Sequence, residues 1–116
     1  MSNFKIYHNP RCSKSRQTLA LLIEKGIQPE IVEYLSNPPS VAELTEIINL
    51  LNISPPDLIR KKESEYKASG LDNNDLSINE QIKLMIANPK VIERPIVLGN
   101  GKAVIGRPPE NVLNII

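Results

Sequence analysis

The sequence predicts an α/β domain, a mixed four-stranded sheet whose two halves are separated by a helical insertion. Three observations predict it. A β-prone run, a helical stretch closed by glycine and a second β-prone run follow one another at the N-terminal end. The middle of the chain, from about residue 36 to 90, shows repeated helix starts and no strand alternation. Near the C-terminal end, two β-prone runs flank an Asn-Gly dipeptide, and a proline pair can open a final helix.

In chain order, residues 4–7 form the first apolar β-prone run, stopped by Asn9-Pro10. Residues 13–25 follow a helical pattern that places Leu19, Leu22 and Ile23 on one face, with Gly26 as the stop. A second strand is expected over 30–35, completing a βαβ unit. Ser40 and Glu43 form a capping box, hydroxyl and carboxylate each satisfying the other's backbone amide, and Val41, Leu44, Ile48 and Leu51 then recur at helical spacing. Pro55-Pro56 opens a short helix through Leu58 and Ile59. Ser77 and Glu80 form a second capping box ahead of Ile82 and Met85, with Pro89 as the stop. Residues 96–98 and 103–105 flank Gly99-Asn100-Gly101-Lys102, and Asn-Gly readily supplies the two positive φ angles of a tight hairpin. Pro108-Pro109 starts a last helix, with Val112, Leu113 and Ile116 as its expected buried side. This is the strand order of a thioredoxin-like fold, expected as one domain over 1–116 with its helical insertion at about 36–90.

The 14 basic and 13 acidic side chains nearly cancel, so no general attraction to nucleic acid or an anionic membrane is expected. Aromatic residues are few, which disfavours base stacking, and no apolar run approaches a membrane span. The start lacks the long apolar stretch of a secretory signal. A lone cysteine rules out an internal disulfide framework and fits a reducing compartment, so a cytoplasmic protein is expected.

That cysteine, Cys12, lies between the first strand and the first helix, where unpaired amides and the helix dipole stabilise a thiolate. A thiol of pKa near 8.5 is only about 3% ionised at pH 7, whereas one at about 6.5 is roughly 75% ionised. Arg11, Lys14 and Arg16 add nearby positive charge, although a solvated helix face is the ordinary fate of such residues. His8 could stabilise the thiolate or fix the loop by hydrogen bonding, and Ser15 could donate to the sulfur or only cap the first turn. A tyrosine phosphatase of the low-molecular-weight type needs an arginine six positions beyond its cysteine; Thr18 stands there. A dithiol oxidoreductase needs Cys-x-x-Cys, and Ser15 occupies the second position. A resolving thiol must come from another molecule. No metal site is expected.

The stretch Tyr7-His8-Asn9-Pro10-Arg11-Cys12-Ser13-Lys14-Ser15-Arg16 resembles the active-site loop of the ArsC family, arsenate reductases coupled to glutathione and glutaredoxin. Tyr34-Leu35 with Pro38-Pro39, Leu58-Ile59-Arg60-Lys61, Glu93-Arg94-Pro95-Ile96-Val97 and Gly106-Arg107-Pro108 continue the resemblance in matching order. A chain that ends soon after its last helix, with Arg11 and the Ser13-Lys14 pair around Cys12, is similar to a short ArsC-like branch. The resemblance implies that Cys12 is the nucleophile, with His8 and Ser15 beside it, and that Arg60, Arg94 and Arg107 bind the arsenate oxyanion. Guanidinium groups suit that task, because they donate paired hydrogen bonds and keep their charge. It also places Pro95 where thioredoxin-like folds carry a cis-proline, a trans proline being the alternative. Glutathione would serve as co-substrate and glutaredoxin as partner, with no tightly bound cofactor. Two other readings stay open: a glutaredoxin-like thiol transferase, and a redox-sensing regulator resembling Spx, whose usual Cys-x-x-Cys switch is missing here.

Overall fold

The structure, a computed structural model, describes residues 4–116. The chain divides into two compact units, residues 4–37 together with Arg94–Ile116, and Pro38–Glu93. The first contains β1 (Lys5–Tyr7), α1 (Ser13–Glu24), β2 (Glu30–Val32), β3 (Ile96–Gly99) and β4 (Lys102–Ile105). They form one sheet in the order β2-β1-β3-β4, with β1 parallel to β2 and the other pairs antiparallel. This is the thioredoxin-like arrangement.

Alternate residues of a strand share a face, so Phe4 and Ile6 point the same way, and the register sets Val97 beside Ile6 and Val104 beside Val97. Leu22 of α1 and Val112 and Ile115 of the C-terminal segment complete the core on that face. Helix α1 ends as the glycine requires. Gly26 takes φ +79°, its amide donates to Ile23, and the Ile27 amide donates to Leu22, the paired bonds of a Schellman motif.

The buried stripe of α1 differs from the expected one. Ser15, Thr18 and Leu22 are buried and Leu19 is partly so, whereas Ile23 is 58% exposed. Two of the inward positions are polar because the N-terminal half of the helix faces polar loop groups. Strand β2 is shorter than 30–35, because the chain turns at Glu33, whose carbonyl accepts from the Ser36 and Asn37 amides. The β3–β4 hairpin has the expected two-residue turn, with Asn100 at φ 54° and Gly101 at φ 74°. The Asn100 side chain also donates to the Ile115 carbonyl at 2.7 Å.

The last segment is a 3-10 helix, Pro109–Asn114, not an α-helix. With three residues per turn, Pro109, Val112 and Ile115 fall on one side, and all three are buried. Leu113 and Ile116, expected inside from an α-helical period, are 46% and 48% exposed.

The second unit holds α2 (Val41–Leu51), a 3-10 turn (Pro55–Leu58), α3 (Ser64–Ala68), α4 (Ile78–Ala87) and a further 3-10 turn (Pro89–Val91). Both capping boxes form: Ser40 and Glu43 exchange bonds of 2.9 and 3.1 Å, as do Ser77 and Glu80. Leu44, Ile47 and Ile48 of α2 and Ile82 and Met85 of α4 are buried, and the two helices pack together. A single antiparallel bridge joins Ile59 to Ile92. The short α3 has no clear sequence signal, since none of its residues is buried. No helix among the described residues is long and apolar enough to cross a membrane.

A Cβ at Gly99 would overlap the Phe4 ring. The variant Gly99→Ala is therefore expected to lower the unfolding free energy by about 1–3 kcal/mol in urea denaturation. An unchanged midpoint would mean that ring and strand shift freely.

Candidate active site

Strand register brings three distant segments to one end of the sheet. Tyr7 pairs with Ile96, and Ile96 with Ile105. The loop after Tyr7, the residues before Ile96 and those after Ile105 therefore emerge side by side. They carry Cys12, Arg94 and Arg107 respectively. The Gly106 amide donates to the Pro95 carbonyl at 2.9 Å, extending the hairpin pairing beyond its last strand residues. Both arginines precede a cis peptide bond, Arg94-Pro95 and Arg107-Pro108. The second had no sequence expectation.

The cysteine loop is fixed by its own polar groups. The His8 amide donates to Val32, the Asn9 carbonyl accepts from the Cys12 amide at 3.0 Å, and the Asn9 side chain accepts from the Arg11 amide. Arg16 Nη1 donates to the Pro10 carbonyl at 2.9 Å. Arg11 and Arg16 are both exposed. Cys12 is the N-cap of α1, in extended backbone (φ −92°, ψ 123°), and its carbonyl accepts from the Arg16 amide.

Cys12 is buried, only 9% exposed as a residue, and burial pushes its pKa up by penalising the charged form. Four groups act the other way and outweigh it. The backbone amide of Ser15 donates to the sulfur, Arg94 adds positive charge, the amide of Lys14 donates as well, and Arg107 adds further charge. Arg107 Nη1 lies 4.0 Å from Sγ. The net result is a thiol below its ordinary value. The amides of the first helical turn and two arginines from the far end of the chain lower it.

Ser15 acts on the sulfur through its backbone. Its hydroxyl accepts from the Asn9 amide at 3.0 Å and is hydrogen-bonded to His8 Nδ1 at 2.6 Å. Burial holds His8 below its usual pKa and Arg16 lowers it further, against an opposing pull from Glu33. At neutral pH the imidazole is uncharged, so it ties the loop to the first turn of α1 and does not act as a cation.

Arg60 belongs to the helical unit. There its Nη1 lies 2.6 Å from Glu63 and its Nε lies 4.0 Å from Glu93, while its amide donates to Val91 beside the Ile59–Ile92 bridge. Three residues carry structural roles for which the sequence offered little signal. Thr18 Oγ1 donates to the Lys14 carbonyl at 2.7 Å and lies 3.2 Å from the Gly106 carbonyl. Gly106 sits where a Cβ would overlap Thr18 and Pro95. The Asn111 side chain donates to the carbonyls of Ile105 and Arg107. Among the described residues no cluster of three His, Cys, Asp or Glu side chains could hold a metal ion.

A family model described as the ArsC family matches residues 7–115. The chain is similar to an arsenate reductase of Haemophilus influenzae, 53% identical over 96% of this chain and 97% of that protein. It is equally similar to the protein YfgD of Escherichia coli K12, 53% identical over 97% of this chain and 95% of the other. Among solved structures, an arsenate reductase from Vibrio cholerae superposes with a TM-score of 0.93 at 47% identity, covering 97% of each chain.

Thiolate absorbance titrated against pH is expected to show Cys12 half-ionised below the ordinary thiol value, and alkylation should accelerate as pH rises through that point. A depressed histidine binds its proton more readily when unfolded, so the His8 contribution to stability is full above about pH 6.5. It declines as pH falls from there towards the lower folded value. Denaturation midpoints at pH 7.5 and 5.5 should therefore fall less for His8→Asn than for the wild type; equal falls would show that His8 is not held neutral by the fold.

Proposed function

The chain belongs to the ArsC family, and we propose that it is an arsenate reductase working through a Cys12 adduct that glutathione and glutaredoxin resolve. The observation that carries the reading is a lone, pKa-lowered thiol with Arg107 Nη1 at 4.0 Å and Arg94 acting on the same sulfur. A nucleophile flanked by two permanent cations is suited to a tetrahedral oxyanion, whose negative charge would otherwise repel a thiolate.

The Cys12 thiolate attacks arsenic(V) and an arsenate oxygen, after protonation, leaves as water. A glutathione thiolate then attacks the Cys12 sulfur. The arsenic–sulfur bond breaks with its electron pair remaining on arsenic, which leaves as arsenite. Two thiols have become the Cys12–glutathione disulfide, and the two electrons they gave up account for the reduction from arsenic(V) to arsenic(III). A glutaredoxin thiolate attacks the glutathione sulfur of that disulfide and frees Cys12. A chain with one cysteine needs both external thiols, and the cytoplasm, with its glutathione pool, is the setting that supplies them.

In this reading Arg94 and Arg107 hold the oxyanion and offset charge as oxygen leaves. Arg60 is assigned to the oxyanion by family resemblance, and Glu63 and Glu93 orient its guanidinium within the helical unit. His8 and Ser15 set the loop that presents the sulfur.

Cys12→Ser is expected to abolish arsenate reduction in the presence of glutathione and glutaredoxin. Arg94→Gln or Arg107→Gln should each lower kcat/KM about 10- to 100-fold, the worth of one charge-assisted contact. Arg60→Gln should lower it too if the resemblance extends to that residue. If wild type and the arginine variants deglutathionylate a protein disulfide equally well while arsenate is never reduced, the chain is a thiol transferase instead.

A further inference from the structure

Helix α1 carries more than the cysteine. One turn and a half beyond Cys12, Thr18 is fully buried, yet it is polar and lies on the helix face that packs inward. A buried threonine in mid-helix commonly returns its hydroxyl to the carbonyl four residues back, and Thr18 does so, reaching Lys14 at 2.7 Å. A second acceptor sits within reach from outside the helix, the Gly106 carbonyl at 3.2 Å. The single hydroxyl hydrogen is thus shared between the helix that begins at Cys12 and the residue that precedes Arg107.

Packing makes this junction tight. A Cβ on Gly106 would overlap both the Thr18 side chain and the Pro95 ring, so glycine alone lets the β4 end approach α1 this closely. The Gly106 amide is engaged with the Pro95 carbonyl, one residue from Arg94. Thr18, Gly106 and Pro95 therefore form a single linked contact whose three segments carry the sulfur and both arginines acting on it.

We propose that Thr18 is a positioning residue that sets the distance between Arg107 and the Cys12 sulfur by holding the Gly106 carbonyl against α1. The Thr18 hydroxyl is engaged with the Lys14 and Gly106 carbonyls and acts through the segment it anchors. This deepens the proposed reductase reading by naming what holds its anion-binding arginine in place, but it can be tested without arsenate.

The test uses the full chain and two readouts on the free protein, thiolate absorbance and the rate of alkylation by iodoacetamide. Thr18→Val keeps the shape and removes the hydroxyl. It is expected to raise the Cys12 pKa by about half a unit, as one cation within 4–6 Å is displaced. At a pH below both pKa values alkylation should then slow about two-fold, the roughly three-fold smaller thiolate fraction being partly offset by greater intrinsic nucleophilicity. Thr18→Ser, which retains the hydroxyl, should restore the wild-type titration. In an Arg107→Gln background Thr18→Val should produce no further shift. Should the valine variant fail to fold, Thr18→Ala takes its place in the same cycle.

An unchanged titration in Thr18→Val, or an equal shift with and without Arg107, overturns the proposal; the latter would place the effect in the helix-turn amides. Arsenate reduction is measured alongside. A protein that shows the coupled thiol shift but never reduces arsenate refutes the substrate reading and leaves the positioning role standing.

Discussion

Burying an ionisable sulfur is unfavourable unless its negative charge is met by oriented donors and fixed cations. Cys12 is buried, and the arrangement of the sheet unit answers that demand. The sulfur sits at the N-terminus of α1, where amides of the first turn are not consumed by the helix and remain free to donate. Two such amides and two guanidinium groups outweigh the desolvation of the thiolate. Neither guanidinium would reach the sulfur if the helix start and the hairpin ends were not fixed together.

That fixing runs through backbone groups. The row Tyr7–Ile96–Ile105 sets three chain segments side by side, and Gly106–Pro95 carries the pairing one step further. Thr18 and Asn111 then hold the Gly106 and Arg107 carbonyls from the helix and from the last 3-10 turn. Polar side chains at buried or half-buried positions act here as spacers between segments. The neutral His8, joined to Ser15 and through it to the Asn9 amide, performs the same task inside the cysteine loop. The cations Arg11 and Arg16 lie close in sequence but are exposed, and Arg16 is directed to the Pro10 carbonyl.

The helical unit is organised by different means. Capping boxes define where α2 and α4 begin, and their apolar faces close upon each other. The Ile59–Ile92 bridge places Arg60 near Glu63 and Glu93, giving its guanidinium a defined direction among acidic neighbours.

Local chemistry determined much of this protein on its own. Asn100-Gly101 specified the hairpin, Ser40 and Ser77 the helix starts, Gly26 the end of α1, and the local pattern the position of Cys12 at a strand-to-helix junction, where first-turn amides lower its pKa. Each depends on residues within a few positions of one another, which is why spacing reveals it. The tertiary structure decided which cations meet the sulfur, because Arg94 and Arg107 lie more than eighty residues from Cys12 and only the strand register unites them. It decided the inward face of α1, where Thr18 and Ser15 are buried and Ile23 is not, since the first half of that face meets polar loop groups and only Leu22 beyond it enters the apolar core. It also set the period of the last segment at three, turning Ile115 inward and Leu113 outward. Apolar spacing alone cannot distinguish a 3-10 from an α-helical turn over six residues; the packing of that segment against α1 can.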